Sequence, residues 1–174
     1  MGDIKTFMQS ALARPKGFEK PIPIVPFADW DYYYISSDLD WKPDGASEAN
    51  LQSVHVPTGF VTDLTSIPRL FWSVLPPAAA YAYAAIIHDY LYWFQPCERN
   101  AADDTLRAGM GDLKVSSAKA FVIYNAVRLA GGLAWSANRE ARTRGERRIL
   151  AKFPPDMTTS WADWKSHIDV FAPA

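Results

Sequence analysis

His88 and Asp89 stand side by side in the run Ala85-Ile86-Ile87-His88-Asp89-Tyr90-Leu91-Tyr92, an otherwise apolar helical stretch. Titratable groups are seldom buried in such a setting unless something pairs with them. Four residues apart on a helix, His88 and Tyr92 share a face, whereas Asp89 points to a different side. One short segment thus offers an imidazole that can serve as a general base, a phenol beside it and a carboxylate aimed elsewhere. A satisfied core histidine is the alternative for the same residues.

Two further blocks bear on this pair. Gly59-Phe60-Val61-Thr62-Asp63-Leu64-Thr65-Ser66-Ile67-Pro68 places an acid and hydroxyl residues on a strand-to-helix turn. Asp63 and Ser66 there read either as caps for backbone amides or, in the case of Asp63, as a ligand for a hard cation or a positioner of the His88 site. Arg99-Asn100-Ala101-Ala102-Asp103-Asp104-Thr105-Leu106 puts two acids in what reads as the first turn of a helix, where both complement the helix dipole. A short antiparallel hairpin would return this turn to the His88 helix, and one acid could then accept the imidazole N–H and set its tautomer.

The elements that must hold these residues can be read coarsely. Residues 4–13 fit a short amphipathic helix, and Pro15, Pro21, Pro23 and Pro26 impose extended chain after it. Strands are expected over Trp30–Ile35, near Leu39–Trp41, over Gln52–Val56 and over Phe60–Thr62. Thr65 or Ser66 caps a short turn near Pro68, and Pro76-Pro77 opens a helix that runs to about Phe94 and stops at Pro96. Asn100 caps a helix over Ala101–Met110 that Gly111 ends, and Ser116 caps another over Ser117–Ala130. Gly131-Gly132 marks a bend, a fourth helix covers Leu133 to about Lys152, and Ser160–Val170 fits a last short amphipathic one. The expected fold class is α+β: a small N-terminal antiparallel sheet packed on a C-terminal bundle of about four helices that includes an antiparallel helix hairpin. One domain is expected over 1–174, with a proline-rich arm at 1–28, a β region at 29–70, a helical region at 76–152 and a C-terminal tail at 153–174.

Composition narrows the function classes. At 49% hydrophobic and 14% aromatic, the chain is globular rather than disordered. A net charge of -1 gives no global pull toward nucleic acid or anionic membrane, so no specific nucleic-acid partner is expected. Cys97 is the only cysteine, which excludes an internal disulfide and any multi-cysteine metal site. No run reaches the roughly 18 apolar residues a membrane span needs, and Met1–Arg14 lacks the apolar core of a secretory signal. Met1-Gly2-Asp3-Ile4-Lys5-Thr6 matches the loose myristoylation pattern, which a chance match explains. The stretch Arg139–Lys152 is basic and reads either as a solvated helix face or as a docking face for acidic groups.

The pattern Gly-Phe-x-Thr-Asp-x-x-Ser-x-Pro, then His-Asp-x-x-Tyr, then Arg-x-x-Ala-Asp resembles a family of small proteins common in tailed phages and prophages, over about residues 54–135 and including Ala126-Val127-Arg128-Leu129-Ala130-Gly131-Gly132. That resemblance implies phage or prophage origin, location in the bacterial host cytoplasm or the virion, and other phage structural proteins or self-association as partners. A narrower resemblance links His88-Asp89-Tyr90-Leu91-Tyr92 to the His-Asp-x-x-Tyr signature of phospholipase A2 domains. It implies His88 as the base for a water, Asp103 as the carboxylate that orients it, Tyr92 as a support, Asp89 as a ligand of Ca2+ and a phospholipid as substrate. The glycine-rich calcium loop of those enzymes has no counterpart here; Gly59–Ser66 is the sole candidate and has one glycine.

Two functions therefore follow as expectations. One is a hydrolase of ester or amide bonds with a His88–Asp103 dyad, Ca2+ at Asp89 and Asp63 being its metal. The other is a non-catalytic virion or tail-assembly component in which the same cluster is a buried structural network. A metal-dependent phosphohydrolase would need His55 or His167 beside His88, and neither stands in a convincing setting.

Overall fold

The computed structural model describes residues 17, 18, 20–44, 48, 50–64 and 81–173. The expected helix at 4–13, the Thr65/Ser66 cap with Pro68 and the Pro76-Pro77 helix start lie outside the described residues.

The architecture is α+β, as the residue pattern indicates. Five short strands come first: β1 (Ile24–Pro26), β2 (Tyr33–Ile35), β3 (Leu39–Trp41), β4 (Val54–Val56) and β5 (Val61–Thr62). They form two antiparallel sheets rather than one, a three-stranded sheet ordered β1-β2-β5 and a two-stranded sheet of β3 and β4. The register pairs Val25 with Tyr34 and Tyr34 with Val61 in the first, and Asp40 with His55 in the second. Alternation sets which side faces inward: Val54 and Val56 are buried while His55 between them is exposed. His55 Nδ1 and Asp40 Oδ1 meet at 2.7 Å across the solvent face, a cross-strand pair that accounts for this histidine. Pro26, which cannot donate to a ladder, sits on the edge strand β1.

The expected strand over Trp30–Ile35 begins only at Tyr33. Its first residues form the turn from β1, with Trp30 in the left-handed region at φ 56° and its amide bonded to the Phe27 carbonyl at 3.0 Å. Residues 18 and 20–28, assigned to an arm from their prolines, belong to the fold: β1 pairs with β2, and Phe18, Ile22 and Phe27 are buried.

Three long helices follow: α1 (Ala82–Phe94), α2 (Arg99–Asp112) and α3 (Ser117–Thr143). α1 ends where Gln95 turns left-handed, its amide on the Leu91 carbonyl at 2.9 Å, just before Pro96. The short link to Arg99 makes α1 and α2 the expected antiparallel hairpin. The helices approach closely at Gly109, where a Cβ would lie 3.1 Å from that of Ala84. α2 starts at Arg99, with Glu98 rather than Asn100 at its cap, and passes through Gly111. Asp103 and Asp104 therefore fall in its second turn, away from the dipole end.

The main correction concerns α3. It runs unbroken through Gly131-Gly132, so the third and fourth expected helices are one, and it ends near Gly145 (φ 89°) instead of about Lys152. Glycine there serves contact rather than a bend, because a Cβ on Gly131 would lie 2.3 Å from the Tyr92 hydroxyl. The chain then returns to the strands, Ile149 bridging Phe60 and Leu150 bridging Phe171. A short α4 (Trp161–Trp164) is capped by Ser160, whose hydroxyl accepts from the Asp163 amide at 3.0 Å, and a 3-10 turn covers Ile168–Val170.

Two apolar clusters result. The larger lies between the helices and the strands, with Trp41, Phe60, Ile86 and Leu106 at its centre. The smaller joins Phe27 and Val61 to Leu150, Trp161 and Val170, so the C-terminal tail is part of a core.

Candidate functional site

His88 lies in the middle of α1 and its side chain is 2% exposed. One turn on, Tyr92 stacks against it with ring centroids 4.0 Å apart. Across the hairpin, α2 presents Asp103, which is fully buried. His88 Nε2 lies 3.1 Å from Asp103 Oδ1, and the Tyr92 hydroxyl donates to the same oxygen at 2.6 Å. Asp103 Oδ2 accepts from Arg99 Nη1 at 3.1 Å and from Arg128 Nη1 at 3.3 Å. Arg99 reaches it by i,i+4 spacing on α2, and Arg128 reaches it from α3.

Taking a carboxylate out of water costs several kcal/mol, so Asp103 is tolerable only because these four donors answer it. Burial opposes its ionisation, but the bonds from His88 and Tyr92 and the charge of Arg99 outweigh that, and its pKa is lowered. Burial likewise disfavours the charged imidazole; it exceeds the pull of Asp103, and the His88 pKa falls below its usual value. An ionised carboxylate only accepts, so neutral His88 carries its proton on Nε2 and presents Nδ1 as its acceptor. The Tyr92 phenol is pushed up by burial and by its bond to Asp103, and stays protonated.

Asp89 points away from this pair, as its position on α1 requires. Its Oδ1 lies 4.0 Å from His88 Nδ1, and its Oδ2 accepts from the Thr62 hydroxyl of β5. Thr62 also accepts the Leu64 amide at 3.0 Å. That bond holds Leu64 in a left-handed conformation, φ 53°, immediately after Asp63. A cleft of about 290 Å3 opens here. Asp63, His88, Asp89 and Tyr92 line one side, and α3 supplies an apolar wall that includes Ala126, Ala130 and Leu133.

The five residues singled out from sequence are thus neighbours: His88, Tyr92 and Asp103 form one bonded unit, while Asp89 and Asp63 share the cleft that His88 faces. Among the described residues, no group of three or more His, Cys, Asp or Glu side chains gathers as a metal site. His55 and His167 do not line the cleft; His55 pairs with Asp40, and His167 stacks near Trp164 at 5.8 Å. Asp104, the other acid of the α2 block, accepts from the Tyr124 hydroxyl at 2.7 Å.

Several functional neighbours escaped the sequence reading. Arg99 carried a usable signal, its i,i+4 spacing to Asp103. Arg128, Thr62 and Gly131 stand in the family pattern, but spacing alone gave none of them a role at the site. Arg148 also lines the cleft, its guanidinium 4.4 Å over the Trp93 ring and its Nε 3.4 Å from Glu146. Two more of the basic run reach the end of α1: Arg142, partly buried, donates to the Phe94 carbonyl at 2.9 Å, and Arg139, exposed, donates to Gln95 Oε1 at 3.2 Å. Arg142 and Arg139 thus close the C-terminus of α1, where positive charge is favourable, while Arg144, Arg147 and Lys152 of the same run are exposed.

The fold and site define an α+β protein in which a helix hairpin carries a buried His–Asp–Tyr cluster at the floor of a cleft. The chain belongs to the family described as "Protein of unknown function (DUF1353)", whose model matches residues 38–127, just over half of its 174 residues. That span contains all three blocks from which the site is built. No curated protein and no solved structure matches the chain.

Proposed function

We propose that the cleft is a hydrolytic active site and that the protein is a phage or prophage hydrolase of ester or amide bonds, similar in its dyad to phospholipase A2. The observation that carries this reading is the orientation of His88. Its Nε2 is engaged by a buried carboxylate, and its ring lines the cleft. With its Nε2–H given to a buried carboxylate and its charged form disfavoured by burial, the imidazole keeps Nδ1 as its basic nitrogen. Nδ1 takes a proton from water, the hydroxide attacks the carbonyl carbon, Asp103 stabilises the imidazolium, and the proton passes to the leaving alcohol or amine. The apolar α3 wall suits the acyl part of such a substrate, a phospholipid among them. Asp63 and Asp89 are the carboxylates that would hold Ca2+. Two carboxylates supply only part of the six to eight oxygens calcium takes, and no step is routed through the ion.

A second reading has its own observation. Asp103 collects donors from α1, α2 and α3 at once, which makes the cluster a three-helix clamp. On that reading the protein is a non-catalytic virion or tail component, assembled with other structural proteins or with itself, in the host cytoplasm or the particle.

Hydrolysis of phospholipid and short-chain ester substrates by wild type and His88→Asn, each with Ca2+ and with chelator, separates the two. The hydrolase reading expects wild-type turnover and a loss of at least about 100-fold in the variant, the usual scale of a general base. Equal rates, with the variant folded by circular dichroism, would sink it and leave the clamp.

A further inference from the structure

The outward face of α3 carries an apolar pattern left largely exposed among the described residues. Its inward face is committed to the core through Ile123, Val127 and Gly131. On the outward side, Val122, Ala126, Leu129 and Leu133 follow one another at spacings of four, three and four, the heptad rhythm of a coiled-coil seam. Val122, Leu129 and Leu133 are 43%, 88% and 83% exposed. Between Lys119 and Arg139 the helix has a single charged residue, Arg128, and that side chain is turned inward onto Asp103. An exposed apolar stripe without charge, about 30 Å long at 1.5 Å per residue, marks an interaction surface.

We propose that this face is the interface of a two-fold dimer in which α3 pairs antiparallel with α3 of a second copy of the chain, centred between Leu129 and Ala130. Charge selects both occupant and direction. Lys119 and Glu140, both exposed, bracket the seam. Antiparallel pairing about this centre sets Lys119 of each copy opposite Glu140 of the other, whereas parallel pairing sets like charges together at both ends. Side-chain size agrees. Leu129 meets Ala130, Leu133 meets Ala126 and Val122 meets Ala137, a large residue against a small one in each layer, so the ridges interdigitate. Among the described residues, Glu140 has an exposed contact to Arg144 at 3.7 Å, which is worth little. Ala126, Ala130 and Leu133 also line the cleft, so the partner helix runs along its mouth. The hydrolytic reading gives the same three residues to the acyl chain, so the two compete for this surface, and the dimer is argued from the seam and its charges alone.

Sedimentation of the full chain tests it. The expected species has twice the 19.5 kDa chain mass. Lys119→Glu and Glu140→Lys should each weaken it by more than about tenfold, and the double reversal should restore it, since only the antiparallel arrangement rejoins opposite charges. Thermal melts of the charge variants check that each copy remains folded. In a Cys97→Ser background, oxidation should link Ala130→Cys across the axis and leave Val122→Cys unlinked. A monomer at high micromolar concentration, a dimer indifferent to both single reversals, or cross-linking at position 122 instead of 130 would overturn the proposal. So would a monomer that uses this stripe to bind lipid vesicles.

Discussion

Asp103 is the residue on which the site turns. Its carboxylate is out of contact with solvent and serves three helices, and the proton state of His88 follows from it. Both groups have lowered pKa values, so acid works against the fold through each of them. For His88, the unfolded chain binds the proton more readily than the native state. Its contribution to stability is therefore full above its ordinary value of 6.5 and is lost as pH falls below it. The same sign holds for Asp103, whose contribution is full above 3.8 and is lost at lower pH as the buried carboxylate is protonated. Urea unfolding across this range should show stability declining in two stages on acidification. His88→Gln, which cannot titrate, should remove the first. A first stage that persists in the variant would mean that another group produces it.

At the scale of elements, the hairpin brings Asp103 back to His88, and α3 closes the site by sheer proximity. That proximity depends on Gly131, where any Cβ would lie 2.3 Å from the Tyr92 hydroxyl. Gly131→Ala should displace Tyr92 from Asp103 and cost about 1–3 kcal/mol, the usual range for overpacking. Its neighbour Gly132 has nothing within 4 Å of the corresponding position. Gly132→Ala should instead stabilise the helix by about 0.5–1 kcal/mol. Opposite signs in denaturant midpoints at two adjacent glycines would confirm that α3 is one continuous helix packed on Tyr92. A bend at this place would make both substitutions costly. The strands show how pattern and packing divide the work. β3 and β4 were legible because their alternation is strict, whereas Trp30–Tyr32 has strand-forming aromatics yet turns, since the chain must reverse to pair β1 with β2.

Across the whole molecule, the two ends of the described chain meet. Trp161, 2% exposed, packs its ring 5.3 Å from Phe27 and 5.6 Å from Tyr32. Trp161→Ala should lower stability by about 3–5 kcal/mol within a single cooperative transition, measured by chemical denaturation. A separate early transition, or none of this loss, would show that the tail folds as its own unit. The basic run behaves likewise at this scale. Arg142 and Arg139 bond the end of α1 from α3 itself, and the return of the chain after α3 places Arg148 at the cleft.

The sequence by itself determined the hairpin, the side of α1 that carries His88 and Tyr92, and the α+β class, because these follow from periodicity, breakers and spacing within about twenty residues. It also narrowed His88's partner to the acids of the α2 block. Only the tertiary structure decided that the Asp103 implied by the resemblance does meet His88, that Arg99 and Arg128 balance its charge, and that Gly131 is a contact instead of a bend. Those outcomes depend on which surfaces meet across long sequence separations, where a buried charge must find its donors and a glycine admits a neighbour, and no local pattern encodes them.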